Sequence, residues 1–103
     1  MKKKIYLDKN AEKELRKFSE NVQIKVEAYL RLLAEEGRLE FPESKKINRN
    51  LYELRIKCQG EYRGLYAYVS RSFIIILLFF RKKVQKTPIK YLKTAKRRLK
   101  LYE

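Results

Sequence analysis

Leu51-Tyr52-Glu53-Leu54-Arg55-Ile56-Lys57-Cys58, then Gln59-Gly60, then Glu61-Tyr62-Arg63-Gly64-Leu65-Tyr66-Ala67-Tyr68-Val69, then Ser70-Arg71-Ser72, then Phe73-Ile74-Ile75-Ile76-Leu77-Leu78-Phe79-Phe80: strand-like runs separated by short turn signals decide the architecture. The first run alternates, with Tyr52, Leu54, Ile56 and Cys58 on one side and Leu51, Glu53, Arg55 and Lys57 on the other, the period of two that marks a strand. The second puts Arg63 opposite Tyr62, Gly64, Tyr66 and Tyr68. The third is apolar throughout and β-branched in its middle, as expected of a central strand covered on both faces. Hairpin pairing around Gln59-Gly60 brings Arg63 near Arg55 or Lys57.

Upstream, Lys4-Ile5-Tyr6-Leu7 reads as a short strand. Asp8 or Asn10 can cap a helix with Ala11, Leu15 and Phe18 on one stripe. Ser19 caps a second helix, whose stripe is Val22, Val26, Tyr29, Leu30 and Leu33 and which Gly37 stops. Pro42 and Asn48-Arg49-Asn50 mark a loop. Downstream, Thr87-Pro88 predicts a helix start, a capping hydroxyl followed by proline at the first helical position. Leu92, Ala95 and Leu99 form that helix's apolar edge, and Lys90, Lys93, Lys96, Arg97, Arg98 and Lys100 its remaining surface. The expected fold is α+β in the order β-α-α-β-β-β-α. It has a mainly antiparallel twisted sheet, two N-terminal helices packed on one face and a basic C-terminal helix. With 103 residues and three glycines, residues 1–103 are expected to form a single domain.

The formal charge is +15, unevenly distributed. Residues 1–50 hold 13 Lys/Arg and 9 Asp/Glu, whereas residues 51–103 hold 14 Lys/Arg against only Glu53, Glu61 and Glu103. Such a field attracts polyanions and speeds their encounter. Cys58 is the only cysteine and histidine is absent, so an internal disulfide is excluded and a zinc site is not expected. No cofactor is expected. The apolar run Phe73–Phe80 is too short to span a bilayer, and the start carries no signal-peptide pattern; the expected compartment is the cytoplasm.

A catalytic Ser/His/Asp set and a phosphate-binding glycine loop are both missing. RNA, however, carries its own nucleophile, the 2′-hydroxyl. An enzyme that aligns it with the adjacent phosphate needs cations for the developing charge and groups to move a proton. Crowded lysines depress one another's proton affinity and can serve in that role. Arg55 and Lys57 share one strand face, Arg63 follows on the next strand, and Arg81, Lys82 and Lys83 leave the end of the third. Arg63, facing the open side with Arg55, is expected to grip a phosphate through two parallel bonds; the other reading is a structural ion pair with Glu53 or Glu61. The tyrosines at 52, 62, 66 and 68 are mostly packing residues, with one or two candidates for stacking on bases.

The segment Leu51-Tyr52-Glu53-Leu54-Arg55, followed by Glu61-Tyr62-Arg63 with Tyr66, then Phe80-Arg81-Lys82-Lys83-Val84-Gln85-Lys86-Thr87-Pro88 and Ala95, resembles the RelE/ParE toxin superfamily, in particular its HigB-like, phage-derived branch. The likeness covers nearly the whole chain. It implies a compact sheet with helices on one side, an acidic antitoxin that wraps it, and metal-free mRNA cleavage on the ribosome. Carried over residue by residue, the catalytic positions are Arg55, Arg63, Lys82 and Lys83. Lys57, Tyr62, Arg81 and Lys86 are expected to contact RNA. The histidine of some members has no counterpart; a C-terminal tyrosine acting in proton transfer would be Tyr91 or Tyr102. Two rival functions remain open, a ParE-like toxin directed at DNA gyrase and a non-catalytic RNA- or ribosome-binding module.

Overall fold

The computed structural model describes residues 2–103. Its elements are β1 (Lys4–Leu7), α1 (Lys9–Arg16), α2 (Glu20–Glu36), β2 (Ser44–Lys46), β3 (Tyr52–Lys57), β4 (Glu61–Tyr68), β5 (Phe73–Lys82) and α3 (Ile89–Leu99). They form one sheet in the order β1-β5-β4-β3-β2, with β1 parallel to β5 and every other pair antiparallel. The α+β class and the order of the expected elements agree with the sequence reading. Asp8, not Asn10, caps α1, accepting from the N–H of Asn10 (2.8 Å) and Ala11 (3.2 Å). Ser19 caps α2, and Gly37 ends it at φ 79°, a left-handed geometry that glycine adopts without penalty.

One strand was not expected. β2 lies where the sequence reads as loop, pairing Ser44–Lys46 with Leu54–Tyr52. Only Ser44 is buried and the two lysines point to solvent, so no apolar alternation announces it. A short, lysine-bearing edge strand also resists pairing with foreign chains.

The helices do not all lie on one side, as the family resemblance implied. α1 and α2 bury Ala11, Leu15, Val22, Val26, Leu30 and Leu33 against Leu54, Ile56, Tyr66, Ile74, Ile76 and Phe79. On the opposite face α3 buries Ala95 and Leu99 against Leu51, Leu65, Ala67, Ile75, Leu77, Leu78 and Phe80. This two-sided cover explains why β5 is apolar without alternation. A bulge shifts its register: Leu65 pairs with Leu78 but Tyr66 with Ile76, leaving Leu77 extra. Beyond the bulge the side-chain phase reverses, so Phe79 joins the α1–α2 core while Leu78 and Phe80 face α3.

β1 pairs only with Phe73–Ile76, so β5 from Leu77 onward is an edge. Arg98 and Glu14 close it. Arg98 donates to the Leu77 carbonyl (2.8 Å), the Phe79 N–H donates to Glu14 Oε1 (3.1 Å), and the two side chains form a two-pronged ion pair at 3.1 and 2.9 Å. Arg98, expected on a solvated face, is thus mostly buried and clamps α3 to α1 around the strand edge. The start of α3 also differs from expectation. Pro88 is the N-cap, no side chain caps the helix, and the Thr87 hydroxyl is committed elsewhere.

Gly64 faces the α1–α2 core, where an added Cβ would lie 2.9 Å from Phe79 Cε1. Gly64→Ala is therefore expected to destabilise the fold by about 1–3 kcal/mol through overpacking, lowering the melting temperature by several degrees. Pairing it with Phe79→Leu should recover part of the loss. Thermal melts of both variants check this; an unshifted Gly64→Ala melt would show that the Phe79 ring yields freely.

Candidate nucleic-acid interface

Strand register stacks three rows of side chains on the α3 face of the sheet. Nearest the Gln59-Gly60 turn stand Lys57, Glu61 and Lys82; next come Arg55, Arg63 and Phe80; then Glu53, Leu65 and Leu78. The first turn of α3 reaches the second row, where Tyr91 stacks on Phe80 with ring centroids 4.2 Å apart. The row nearest the turn lies beyond the helix, and Lys57 and Glu61 are exposed. The bulge in β5 is what brings Lys82 to this face. Arg55, Lys57, Glu61, Arg63, Lys82 and Gln85, with Tyr29, Pro42 and Glu43, line a cavity of about 430 Å³.

Two arginines directly opposite each other repel. The Arg55 N–H is bonded outward to the Glu43 carbonyl, so Arg55 and Arg63 form the close, non-hydrogen-bonded kind of antiparallel pair, with Cα atoms about 4.5 Å apart. Glu53 makes this tolerable. Only 2% exposed, its Oε1 lies 3.2 Å from Arg55 Nε and 3.6 Å from Arg63 Nε, and its Oε2 accepts from the Thr87 hydroxyl at 2.6 Å. The Thr87 bond draws the segment 83–88 back over the face of the sheet, leaving Lys83 and Lys86 exposed along it.

Arg63 does face the same side as Arg55, but it is not open to solvent. It is 4% exposed, donates to Glu61 Oε1 (2.7 Å) and to the Tyr62 carbonyl (3.1 Å), and its Nε lacks a hydrogen-bond partner. The structural ion pair is present, with both glutamates. Arg63's hydrogen bond and charge hold the exposed Glu61 carboxyl below its ordinary value. Arg55 is the accessible guanidinium: its side chain is 26% exposed, it gives only Nε to Glu53, and it rests on the Phe41 ring at 5.4 Å.

Four of the eight sequence-selected residues, Arg55, Lys57, Arg63 and Lys82, therefore meet at one cavity, with Lys83 and Lys86 on the adjoining segment. Tyr62 and Arg81 do not join them. Tyr62 is buried on the α1–α2 side of the sheet against Phe18 (4.7 Å), with the Arg81 guanidinium 5.7 Å from its ring centre, so no face is left for a base. Tyr102 is removed from the cluster as well, donating its hydroxyl to Asp8 at 2.6 Å. Glu53, Thr87 and Phe41 were not singled out as site residues. For Glu53 there was a signal, a carboxylate sharing a strand face with Leu51. Among the described residues, no group of three or more Cys, Asp or Glu could hold a metal ion.

Residues 13–100 match the family model of Gp49-like phage-derived proteins. The chain belongs to the Gp49-like family. No curated protein matches it significantly. Among solved structures it is similar to E. coli toxin RelE, an arginine-to-alanine double mutant in the free state. That likeness has a TM-score of 0.71 and 20% identity, covering 94% of this chain and 98% of the other. The Gp49-like chain thus has the RelE fold, as the sequence resemblance led one to expect, and its basic cavity sits on that fold's sheet. Among the described residues no helix is long and apolar enough to cross a membrane.

Removing one partner of a buried ion pair leaves the other uncompensated, at a cost of about 3–5 kcal/mol. Arg63→Ala and Glu53→Gln are accordingly expected to lower stability markedly, whereas Glu61→Gln, at an exposed site, should change it little at neutral pH. Because the Glu61 carboxyl is depressed in the folded state, its contribution is present above the unfolded value and fades as pH falls through the folded one. The Glu61→Gln variant should therefore lose less stability than the parent on acidification. Melts at neutral and acid pH check the order; an Arg63→Ala protein melting like the parent would contradict it.

Proposed function

We propose that this protein is the toxin of a toxin–antitoxin pair and a ribosome-dependent, metal-free endoribonuclease that cleaves mRNA. The observation that supports this reading is the solvent-facing cluster of Arg55, Lys57 and Lys82 over buried Arg63, on a sheet with the RelE fold. In this reading the substrate's 2′-oxygen attacks the adjacent phosphorus and the 5′-oxygen of the next nucleotide departs. The free N–H groups of Arg55 bind the non-bridging oxygens, and Lys57 and Lys82, on either side of Glu61 in the strand register, offset the growing charge. Glu61 occupies Arg63 in the free protein. A phosphate displacing that exposed carboxylate gains a second guanidinium already held rigid by Glu53 and the Tyr62 carbonyl. The silencing partner would be an acidic antitoxin, matched to the excess of cations in residues 51–103.

Arg55→Ala is expected to slow cleavage of a ribosome-bound message by about a hundred- to thousand-fold, measured well below the variant's own melting temperature because buried Glu53 loses the Arg55 hydrogen bond. Arg55→Lys should recover part of the rate, because charge returns without the fork. Products should carry 2′,3′-cyclic or 3′-phosphate and 5′-hydroxyl ends, and chelator should have no effect once the ribosome's magnesium is restored. End-group analysis in single-turnover reactions tests the mechanism; 5′-phosphate products would mean attack by water and overturn it.

A further inference from the structure

We propose that a second cavity, on the other side of the edge strand β2, is a subsite for one nucleotide of the same single-stranded RNA. The proposal rests on the nuclease reading for its choice of strand, but not for its assay. The cavity measures about 490 Å³ and is bordered by Lys3, Phe41, Lys45, Lys46, Tyr52 and Tyr68, a volume within the usual range for small-ligand sites. Tyr52 and Tyr68 form a right-angled aromatic corner, with ring centroids 5.1 Å apart and planes at 87°, and buried Tyr66 backs it, stacked on one face of Tyr52 at 5.5 Å. In the free protein Lys46 lies 5.9 Å from the Tyr52 ring centre and Lys3 5.8 Å from that of Tyr68. Arg38 is engaged by Glu40 at 2.6 Å and Lys3 by the Arg71 carbonyl, while Lys46 makes no ion pair among the described residues. Lysines alone take any anion. Lysines beside an aromatic corner favour an anion attached to a flat ring, which is a nucleotide.

Phe41 supplies the continuity. It is 70% exposed, borders this cavity and carries the Arg55 guanidinium on its ring, so it lies at the rim of both sites. Tyr52 and Arg55 are three residues apart on β3, about 10 Å along the strand. A single strand held at Arg55 can turn over Phe41 and place a neighbouring base in the corner; a stiff duplex cannot bend around a sheet edge at that scale.

The test is binding of a labelled 2′-O-methyl RNA oligonucleotide, which cannot be cut because its nucleophile is blocked, measured by anisotropy across a salt series. The Lys46→Ala protein, altered only at an exposed position that pairs with Tyr52 and shares its face of the sheet, should bind more weakly. Its salt slope should fall by about 0.7, the loss of one phosphate contact on a single strand. Tyr52→Leu should cost about fivefold or more in affinity, and much less for an oligonucleotide abasic at the responsive position, whereas Tyr52→Phe should bind like the parent. If Tyr52→Leu melts early, the Lys46 variant decides alone. Parental affinity and slope in the lysine variant would overturn the proposal. So would parental RNA binding combined with lost binding of polyglutamate, which would assign the cavity to an acidic polypeptide. A wild-type protein that binds through this cavity yet leaves ribosome-bound mRNA uncut would sink the nuclease reading and leave the subsite standing.

Discussion

A buried carboxylate between two guanidiniums is the constraint on which the basic face depends. Register alone would set Arg55 against Arg63 across β3 and β4, a pairing that costs free energy wherever water is scarce. Glu53 lies beside both arginines and takes the Thr87 hydroxyl on its second oxygen. One side chain thereby orients two cations and anchors the basic segment that follows β5. The same arrangement makes the two arginines unequal. Arg63 is enclosed, and Arg55 keeps N–H groups without partners among the described residues.

Whether this cluster is open depends on where α3 stops, and that is set some distance away. The Leu77 bulge exposes a carbonyl and an N–H on the free edge of β5, and Arg98 and Glu14 satisfy both while joined to each other. Tyr102 adds a second tie, its hydroxyl bonded to the Asp8 carboxylate that caps α1. The C-terminal end of α3 is thus fixed against α1, and its N-terminal end reaches only as far as Phe80. The bulge also reverses the side-chain phase, without which Lys82 would face the α1–α2 side. A single extra residue in β5 therefore both builds the basic row and limits the helix that would cover it.

Much of this was legible in the residues, and the failures have physical causes. The alternation of β3 and β4 identified the face shared by Arg55, Lys57 and Arg63, because half-buried strands write their two environments into a period of two. β5, apolar on both faces, carries no phase information, so its bulge was invisible, and with it the separation of Lys82 from Arg81. β2 left no trace because its pairing is a backbone matter and its lysines face water. Thr87 looked like a helix cap because the local pattern is right; Glu53, 34 residues away in sequence, competes for the hydroxyl. Burial of Arg63 was the most consequential surprise. Alternation assigns a side, but whether that side is wet depends on neighbours that only tertiary structure supplies.

Proton transfer is where the missing histidine matters, and the geometry narrows the choice in the proposed reaction. Tyr102 is held by Asp8, whose hydrogen bond raises the phenol's affinity for its proton, and it lies at the opposite end of α3 from the cluster. Tyr91 is better placed, stacked on Phe80 beside the Arg63 row with Lys90 5.0 Å from its ring centre. Glu61 is a weak candidate for base, since Arg63 holds its carboxyl in the low range where a proton is poorly retained. Lys57 and Lys82 flank Glu61 in the row nearest the turn, and each offers N–H donors there. A lysine so placed can stabilise the phosphorane and then protonate the departing 5′-oxygen without moving.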